Sequence, residues 1–362
     1  MRWGKYILAL CAVGLMSLTL LRGSERVLAT SDTEVLNVEN DVDVSHLLFG
    51  HIGDSYGWHI TDWSGQHVSI PLPCIVKAKD GWHVFMSTKV EHGHEYHGLF
   101  IAEEGRYEGK IVEMSPDGEY VRPFDISVTK NVCSLMITGL LLVLIVLGAA
   151  RWYKKNDASE DVPKGFVGLV EMMVMMVNDE LIRPSIGEKE YRRYAPYLLT
   201  AFFFIFISNL LGIVPFFPGG ANVTGNIAVT MVLALCTFVA VNLFGNRHYW
   251  KEILWPDVPV FLKFPLPIMQ TIELFGLVAK PFSLMVRLFA NIMAGHAMIL
   301  GLVSVIFVTV KLGPVINGSM TVITMLFGVF MDCLELLVAF IQAYVFTMLS
   351  SVFIGMSRQE EH

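Results

Sequence analysis

Ionisable and amide side chains stand in segments that are otherwise almost wholly apolar. Glu273, Lys280, Arg287, Asn291 and His296 lie in one such segment, and Asp332, Glu335 and Gln342 in another. A charged residue at mid-membrane costs about 2.5 to 3.5 kcal/mol on insertion scales, so each is a functional hypothesis by default. The chemistry they offer is proton movement: a carboxylate accepts a proton, an imidazole relays one near neutral pH, and a guanidinium keeps its charge. Glu273, Lys280 and Arg287 recur every seven residues, a spacing that returns to nearly the same helical face despite Pro281. Asn291 follows Arg287 by one turn. His296 is nine residues beyond Arg287, half a revolution round and roughly 13 Å further along by helical rise. Glu335 and Gln342 share a face, roughly 10 Å apart along their helix. If Gln342 lies opposite Arg287, antiparallel packing brings Glu335 level with His296, and a carboxylate and an imidazole at one depth form a proton path. Plainer readings exist for three of the others. Lys280 reads as a residue that snorkels to the cytoplasmic side, Asp332 solvates the cavity of Glu335, and Glu273 is either interfacial or part of the path. Arg287, surrounded by apolar residues well inside its segment, is the hardest to explain structurally.

Those residues need a membrane scaffold, and the composition supplies one. The chain has 362 residues, 54% of them hydrophobic and only 16% charged, with a net charge of −7. A soluble domain carries about 25% charged residues. From Tyr194 to Asn246 there is no Asp, Glu, Lys or Arg. An acidic chain whose charges lie outside long apolar segments has no stripe for tracking phosphates, which excludes nucleic acid as a partner. The expected fold is an all-α integral membrane protein with five membrane crossings and one interfacial helix. Val132 to Ala150 is a span ended by Arg151, Lys154 and Lys155, whose charges mark the cytoplasmic side. Pro163 to Glu190 mixes a Met-rich apolar run with charges and fits a helix along the inner interface. The charge-free run is broken at Pro215 to Gly220 into crossings at about Ala195 to Val214 and Val223 to Asn246, and Arg247, His248 and Lys251 then return the chain inside. Two further stretches, about Ile268 to Val310 and Ser319 to Met356, are near twice the span length and fit strongly tilted helices. They are joined through Lys311-Leu312-Gly313-Pro314 and Asn317-Gly318, and the C-terminus is cytoplasmic.

The N-terminal third differs in character. Residues 1–29 read as a secretory signal with Arg2 and Lys5 leading an apolar core, or alternatively as an uncleaved anchor. Residues 30–130 read as a small exported β-rich domain, with hairpin signals at Lys79-Asp80-Gly81 and Ser115-Pro116-Asp117-Gly118, and residues 131–362 as the membrane domain. Of Cys11, Cys74, Cys133, Cys236 and Cys333, only Cys74 falls in the β-rich region, so packing must hold it without an internal disulfide. His92, His94 and His97 beside Glu91 and Glu95 lack the spacing of a zinc helix and read as a solvated loop, with no metal assigned.

The run Ser283-Leu284-Met285-Val286-Arg287-Leu288-Phe289-Ala290-Asn291-Ile292-Met293-Ala294-Gly295-His296 resembles subunit a of the rotary F-type ATP synthase, the stator of its membrane motor. The likeness continues through Ser208 to Pro215, Asn222-Val223-Thr224, Lys280-Pro281 and Gln342-Ala343-Tyr344-Val345-Phe346, and covers about Gly165 to Met356. The resemblance implies that Arg287 is the essential stator arginine, with Asn291 and Gln342 as its polar companions. It implies that Glu273 belongs to the cytoplasmic half-channel, and that His296 and Glu335 line the outer one. Many bacterial members carry that carboxylate on the first helix and the histidine on the second; here they are exchanged, as in mitochondrial members. The resemblance further implies partners: the c-ring, peripheral-stalk b subunits, the rest of the complex and membrane lipid. It places the chain in the bacterial inner membrane as a non-catalytic proton-channel subunit without cofactor.

Two other classes are weighed against it. A self-contained ion channel or antiporter would need a complete cation site of its own and an internal repeat, neither of which is found. An intramembrane hydrolase would need a serine-lysine, paired-aspartate or zinc arrangement, and none is identified.

Overall fold

The computed structural model describes residues 53–63, 66–91, 93–102, 107–115, 119–156, 161–214, 217–254 and 268–358. The expected signal segment and His92 lie outside them. Eight short strands come first: β1 (Gly57–Trp63), β2 (Gln66–Pro71), β3 (Pro73–Ala78), β4 (Gly81–Met86), β5 (Leu99–Ile101), β6 (Ile111–Met114), β7 (Tyr120–Val121) and β8 (Phe124–Asp125). They pair antiparallel in three small sheets, β1-β2, β4-β3-β8 and β5-β6-β7. The first hairpin falls where the turn residues place it, with Ala78 facing Gly81 across Lys79-Asp80; Met114 pairs with Tyr120, and Pro116-Asp117-Gly118 of the second expected turn lie outside the described residues. Along β3 every second residue, Cys74, Val76 and Ala78, turns inward, the period of a half-buried strand. Tyr56, Phe85, Val90, Leu99 and Ile111 complete this core.

The helices are α1 (Lys130–Lys155), α2 (Phe166–Met176), α3 (Arg183–Ile186), α4 (Tyr191–Ile213), α5 (Ile227–Leu243), α6 (Arg247–Leu254), α7 (Ile268–Thr309) and α8 (Pro314–Arg358), with a π-helical segment, Val177–Ile182, between α2 and α3. Their starts follow local chemistry. Thr129 caps α1 by accepting from the Val132 amide, Asp54 accepts from the Asn131 amide at 3.0 Å, and Lys154 and Lys155 meet the negative end of the helix dipole. Asn226 caps α5 by accepting from the Ala228 amide. Among the described residues four helices are long and apolar enough to cross a membrane: α1, α4, α7 with the 3-10 turn after it, and α8. The remaining expected crossing is the shorter apolar helix α5, of 17 residues.

Helix α4 sits centrally. Half of its apolar window is buried, against 11% for α1, whose Leu140, Val143, Leu144 and Leu147 face outward. Leu198, Phe202 and Ile205 of α4 meet Leu288 of α7, Phe346 and Ile354 of α8, and Val177, Leu181 and Ile182 of the π-helical segment in one core. Helix α8 comes close to α3 at Gly355, where an added Cβ would clash with the Ser185 carbonyl oxygen, so only glycine fits. The C-terminal turn of α8 is tied down by Arg358, which donates to the Tyr194 hydroxyl at 2.9 and 2.7 Å and to Asn246 Oδ1 at 3.1 Å.

Of the described residues, 298–333 fall in one of the chain's two compact units and the rest in the other. Within the first, Thr309 Oγ1 donates to Asn317 Oδ1 at 3.0 Å across a link that turns at Gly313. The link is shorter than the sequence suggests. Pro314 starts α8, so Asn317 and Gly318 are helical rather than part of the connection. Proline suits a first helical position, and the Asn317 amide finds the Gly313 carbonyl at 3.0 Å.

Candidate functional site

The helical periods that place the polar residues on α7 and α8 also bring them together. Asn291 Nδ2 donates to Gln342 Oε1 at 3.0 Å, and five residues along α7 the His296 Nδ1 lies 2.9 Å from Glu335 Oε1. As the α7 number rises the α8 number falls, so these parts of the two helices run antiparallel. Gln342 thus bonds Asn291, one turn beyond Arg287, since spacing along a helix fixes which residues share a face but not the level of the partner helix. The pairing of His296 with Glu335 holds.

The pair is shielded. The Glu335 side chain is 6% exposed and that of His296 19%. His296 Nδ1 also lies 3.2 Å from the Ile292 carbonyl oxygen. Although Nδ1 and Oε1 are in ion-pair range, Oε1 has no well-directed hydrogen bond, which leaves the carboxylate able to accept another donor. Gly295 makes the approach possible, since a Cβ there would stand 3.1 Å from Glu335 Oε1. Across from the imidazole, Gly212 of α4 presents bare backbone to His296 Cε1 and Nε2.

Arg287 is on the exposed side of α7, and among the described residues no side chain pairs with its guanidinium. It lines an open groove with Gly276, Ala279, Lys280 and Ser283 of its own helix and Leu349 and Phe353 of α8. Gly276, Ala279 and Ser283 keep the α7 side of that groove low. Lys280 is exposed and holds its ammonium 5.8 Å from the Phe353 ring centroid. Glu273 is half-buried and acts on Tyr249 of α6, whose phenol is held above its ordinary value first by burial and then by the Glu273 charge. Asp332 is half-buried, one turn before Glu335 on α8.

Sequence reasoning assigned no role to a second polar group that supports this site. Thr224 Oγ1 donates to Asn209 Oδ1 at 2.6 Å, and Asn209 Nδ2 reaches the Ala339 carbonyl of α8 at 3.4 Å. Asn222 Nδ2 approaches Met293 Sδ at 3.5 Å. Together they fasten the segment between α4 and α5 to both site helices. Asn209, Asn222 and Thr224 are buried polar residues in an apolar stretch, and that was the available signal. His94 and His97 do not form the loop cluster weighed from sequence; His97 instead meets Asp80 and His83 of the β3-β4 hairpin.

Residues 133–355 match the ATP synthase A chain family, and residues 47–130 match a domain of unknown function. The chain is 39% identical to ATP synthase subunit a of Myxococcus xanthus over 306 residues, covering 80% of this chain and 88% of that one. It is 39% identical over 247 residues to the subunit a of Chloroherpeton thalassium, covering 66% and 69%. With the subunit a of Anaeromyxobacter dehalogenans it shares 43% over 238 residues, covering 64% and 58%.

Proposed function

The chain belongs to the ATP synthase A chain family, and we propose that it conducts protons through the membrane stator of an F-type ATP synthase by way of His296, Glu335, Asn291, Gln342, Arg287 and Glu273. The observation that carries the reading is the shielded His296–Glu335 contact at 2.9 Å, on the same two helices as the Asn291–Gln342 bond and beside an arginine open to a partner.

A proton arriving from outside passes Glu335 and His296, which can hand it between an acceptor oxygen and a ring nitrogen. It then neutralises a carboxylate on a ring of small helical subunits, the c-ring, that turns against the groove at Arg287. The neutral site moves into lipid at low cost. On the cytoplasmic side, near Glu273, the carboxylate sheds its proton and meets Arg287. An arginine cannot be deprotonated in proteins, so its charge favours the ionised carboxylate and bars a direct proton leak between the two half-channels. Each charge crossing 100 mV delivers about 2.3 kcal/mol, so several protons drive each ATP made elsewhere in the complex. Lys280 and Asp332 act as accessory charges at the two ends of this route.

In this reading α5 is the fifth crossing, and the helices from α2 to α3 lie on the cytoplasmic interface. The strands are outside the bacterial inner membrane, the C-terminus is inside, and b subunits of the peripheral stalk hold the chain against rotation. A self-contained channel or antiporter gains no support, since Arg287 faces an open groove rather than an enclosed cation site. The test is Arg287→Ala in the reconstituted complex. Coupled ATP synthesis in vesicles falls to background, and retained synthesis refutes the assignment.

A further inference from the structure

Outside the membrane helices, three ligand-bearing side chains from two separate turns converge. Asp80 lies in the two-residue turn between β3 and β4, His83 lies on β4, and His97 lies ahead of β5; one ligand atom from each falls within 4.8 Å of the others. His83 Nε2 is 2.8 Å from Asp80 Oδ1, and the rings of His83 and His97 stand 5.1 Å apart at a 31° tilt. We propose that Asp80, His83 and His97 bind a divalent transition metal ion of the zinc class, which clamps the β3-β4 hairpin to the turn ahead of β5.

The backbone at His97 is the first argument. Tyr96 and Leu99 exchange both hydrogen bonds of an antiparallel pair, at 2.9 and 3.0 Å, around the two-residue loop His97-Gly98. Both loop residues have positive φ, 54° and 75°, the geometry of a tight hairpin turn whose first position favours Asn, Asp or Gly. Among the described residues His97 is the non-glycine one with positive φ. Asn, Asp and His are the side chains that enter this conformation most readily, and here it sets the imidazole beside Asp80 and His83. The turn is anchored behind it, because the Tyr96 ring packs at a 48° tilt against Phe85 of the β-sheet core, centroids 4.9 Å apart.

Donor chemistry and geometry agree with this. Two imidazoles and a carboxylate suit zinc, with a fourth position left to water. Ligand atoms on a tetrahedral zinc ion lie about 3.4 Å apart, given bonds of about 2.1 Å. The observed spacing, from 2.8 Å up to 4.8 Å at most, brackets that value. His83 is the sheltered ligand, its side chain 15% exposed, while Asp80 at 61% is free to swing onto the ion. Among the described residues the His97 ring makes ring contacts but no hydrogen bond, so its nitrogens are available to a metal.

The test uses the full-length chain in detergent, stripped with chelator and titrated with Zn²⁺ by calorimetry and with Co²⁺ by visible absorption. One Zn²⁺ binds per chain in the micromolar range or tighter and raises the thermal midpoint, and Co²⁺ gives the intense bands of a tetrahedral nitrogen-oxygen site. His83→Ala and His97→Asn each weaken binding at least tenfold, and His97→Asn retains a residue that tolerates the left-handed backbone. His94→Ala, an exposed neighbour outside the trio, leaves binding unchanged. Absence of saturable Zn²⁺ binding, or equal affinity in the wild-type and His97→Asn chains, overturns the proposal.

Discussion

Gly295 decides how closely a carboxylate on α8 can approach the imidazole on α7. A methyl group there would stand 3.1 Å from Glu335 Oε1, so the carboxylate would have to give by a few tenths of an ångström. Alanine is the better helix former by about 1 kcal/mol, so Gly295→Ala leaves thermal stability equal or higher while proton uptake falls several-fold. Vesicle quenching of a pH dye, read beside a melting curve, separates these effects; a rate unchanged by the added methyl argues against transfer through Glu335. Removing both groups of the pair, as His296→Ala with Glu335→Gln, slows uptake further, and unchanged quenching contradicts the proposed outer path. At this scale the sequence was informative about identity and incomplete about pairing. Charge within apolar segments singled out Arg287, His296 and Glu335, because few apolar helices carry such groups without use. That Gln342 bonds Asn291 depends on the rotation and level of two helices, which one residue's neighbours along the chain do not encode.

Apolar length alone places α1, α4, α7 and α8, and the observed ends differ from the expected ones mainly in the last turns. Lys130 and Thr129 extend α1 because a cap and the Asp54 carboxylate serve its first amides. Helix α8 begins several residues early because Pro314 is a favourable first residue and Asn317-Gly318 is absorbed into the following turn. What no period reveals is where helices touch. Gly355 on α8 meets the Ser185 carbonyl at a separation no Cβ tolerates, and that oxygen is backbone and cannot rotate away. Gly355→Ala therefore pushes α8 from α3 and destabilises the helical core by about 1 to 3 kcal/mol, the usual cost of overpacking. A lowered thermal midpoint by circular dichroism is the expected reading, with Gly139→Ala on α1, where a Cβ meets nothing within 4 Å, as the comparison whose midpoint is equal or higher.

The β-rich part and the membrane helices belong to one chain but hold together by different physics. Asp54 caps α1, and Trp58 of β1 meets Phe217, in the segment between α4 and α5, edge to face at 5.2 Å, so the strands are fastened to the helices at two points. Inside the strands, Tyr56 donates to Asp125, whose other oxygen accepts from the Ser127 amide, while Ser127 Oγ accepts from the Ile75 amide. Burial, followed by the bond to Asp125, holds the Tyr56 phenol far above its ordinary range. Cys74 sits fully enclosed in the same core, and burial pushes its thiol up to about 11. A thiol in an unfolded chain titrates near about 8.5, so the folded state binds the proton more tightly. Its contribution to stability is complete below about 8.5 and is lost as pH climbs toward about 11, the direction linkage requires when the folded value is the higher one. Alkylation followed residue by residue with mass spectrometry should find Cys74 inert in the folded chain at pH 9, reactive only as pH nears 11, and rapidly modified at pH 9 in denaturant. Labelling of Cys74 in the folded chain at pH 9, at the rate seen in denaturant, would mean that this core opens to solvent, and the strands would then have to be stabilised by something other than their own packing.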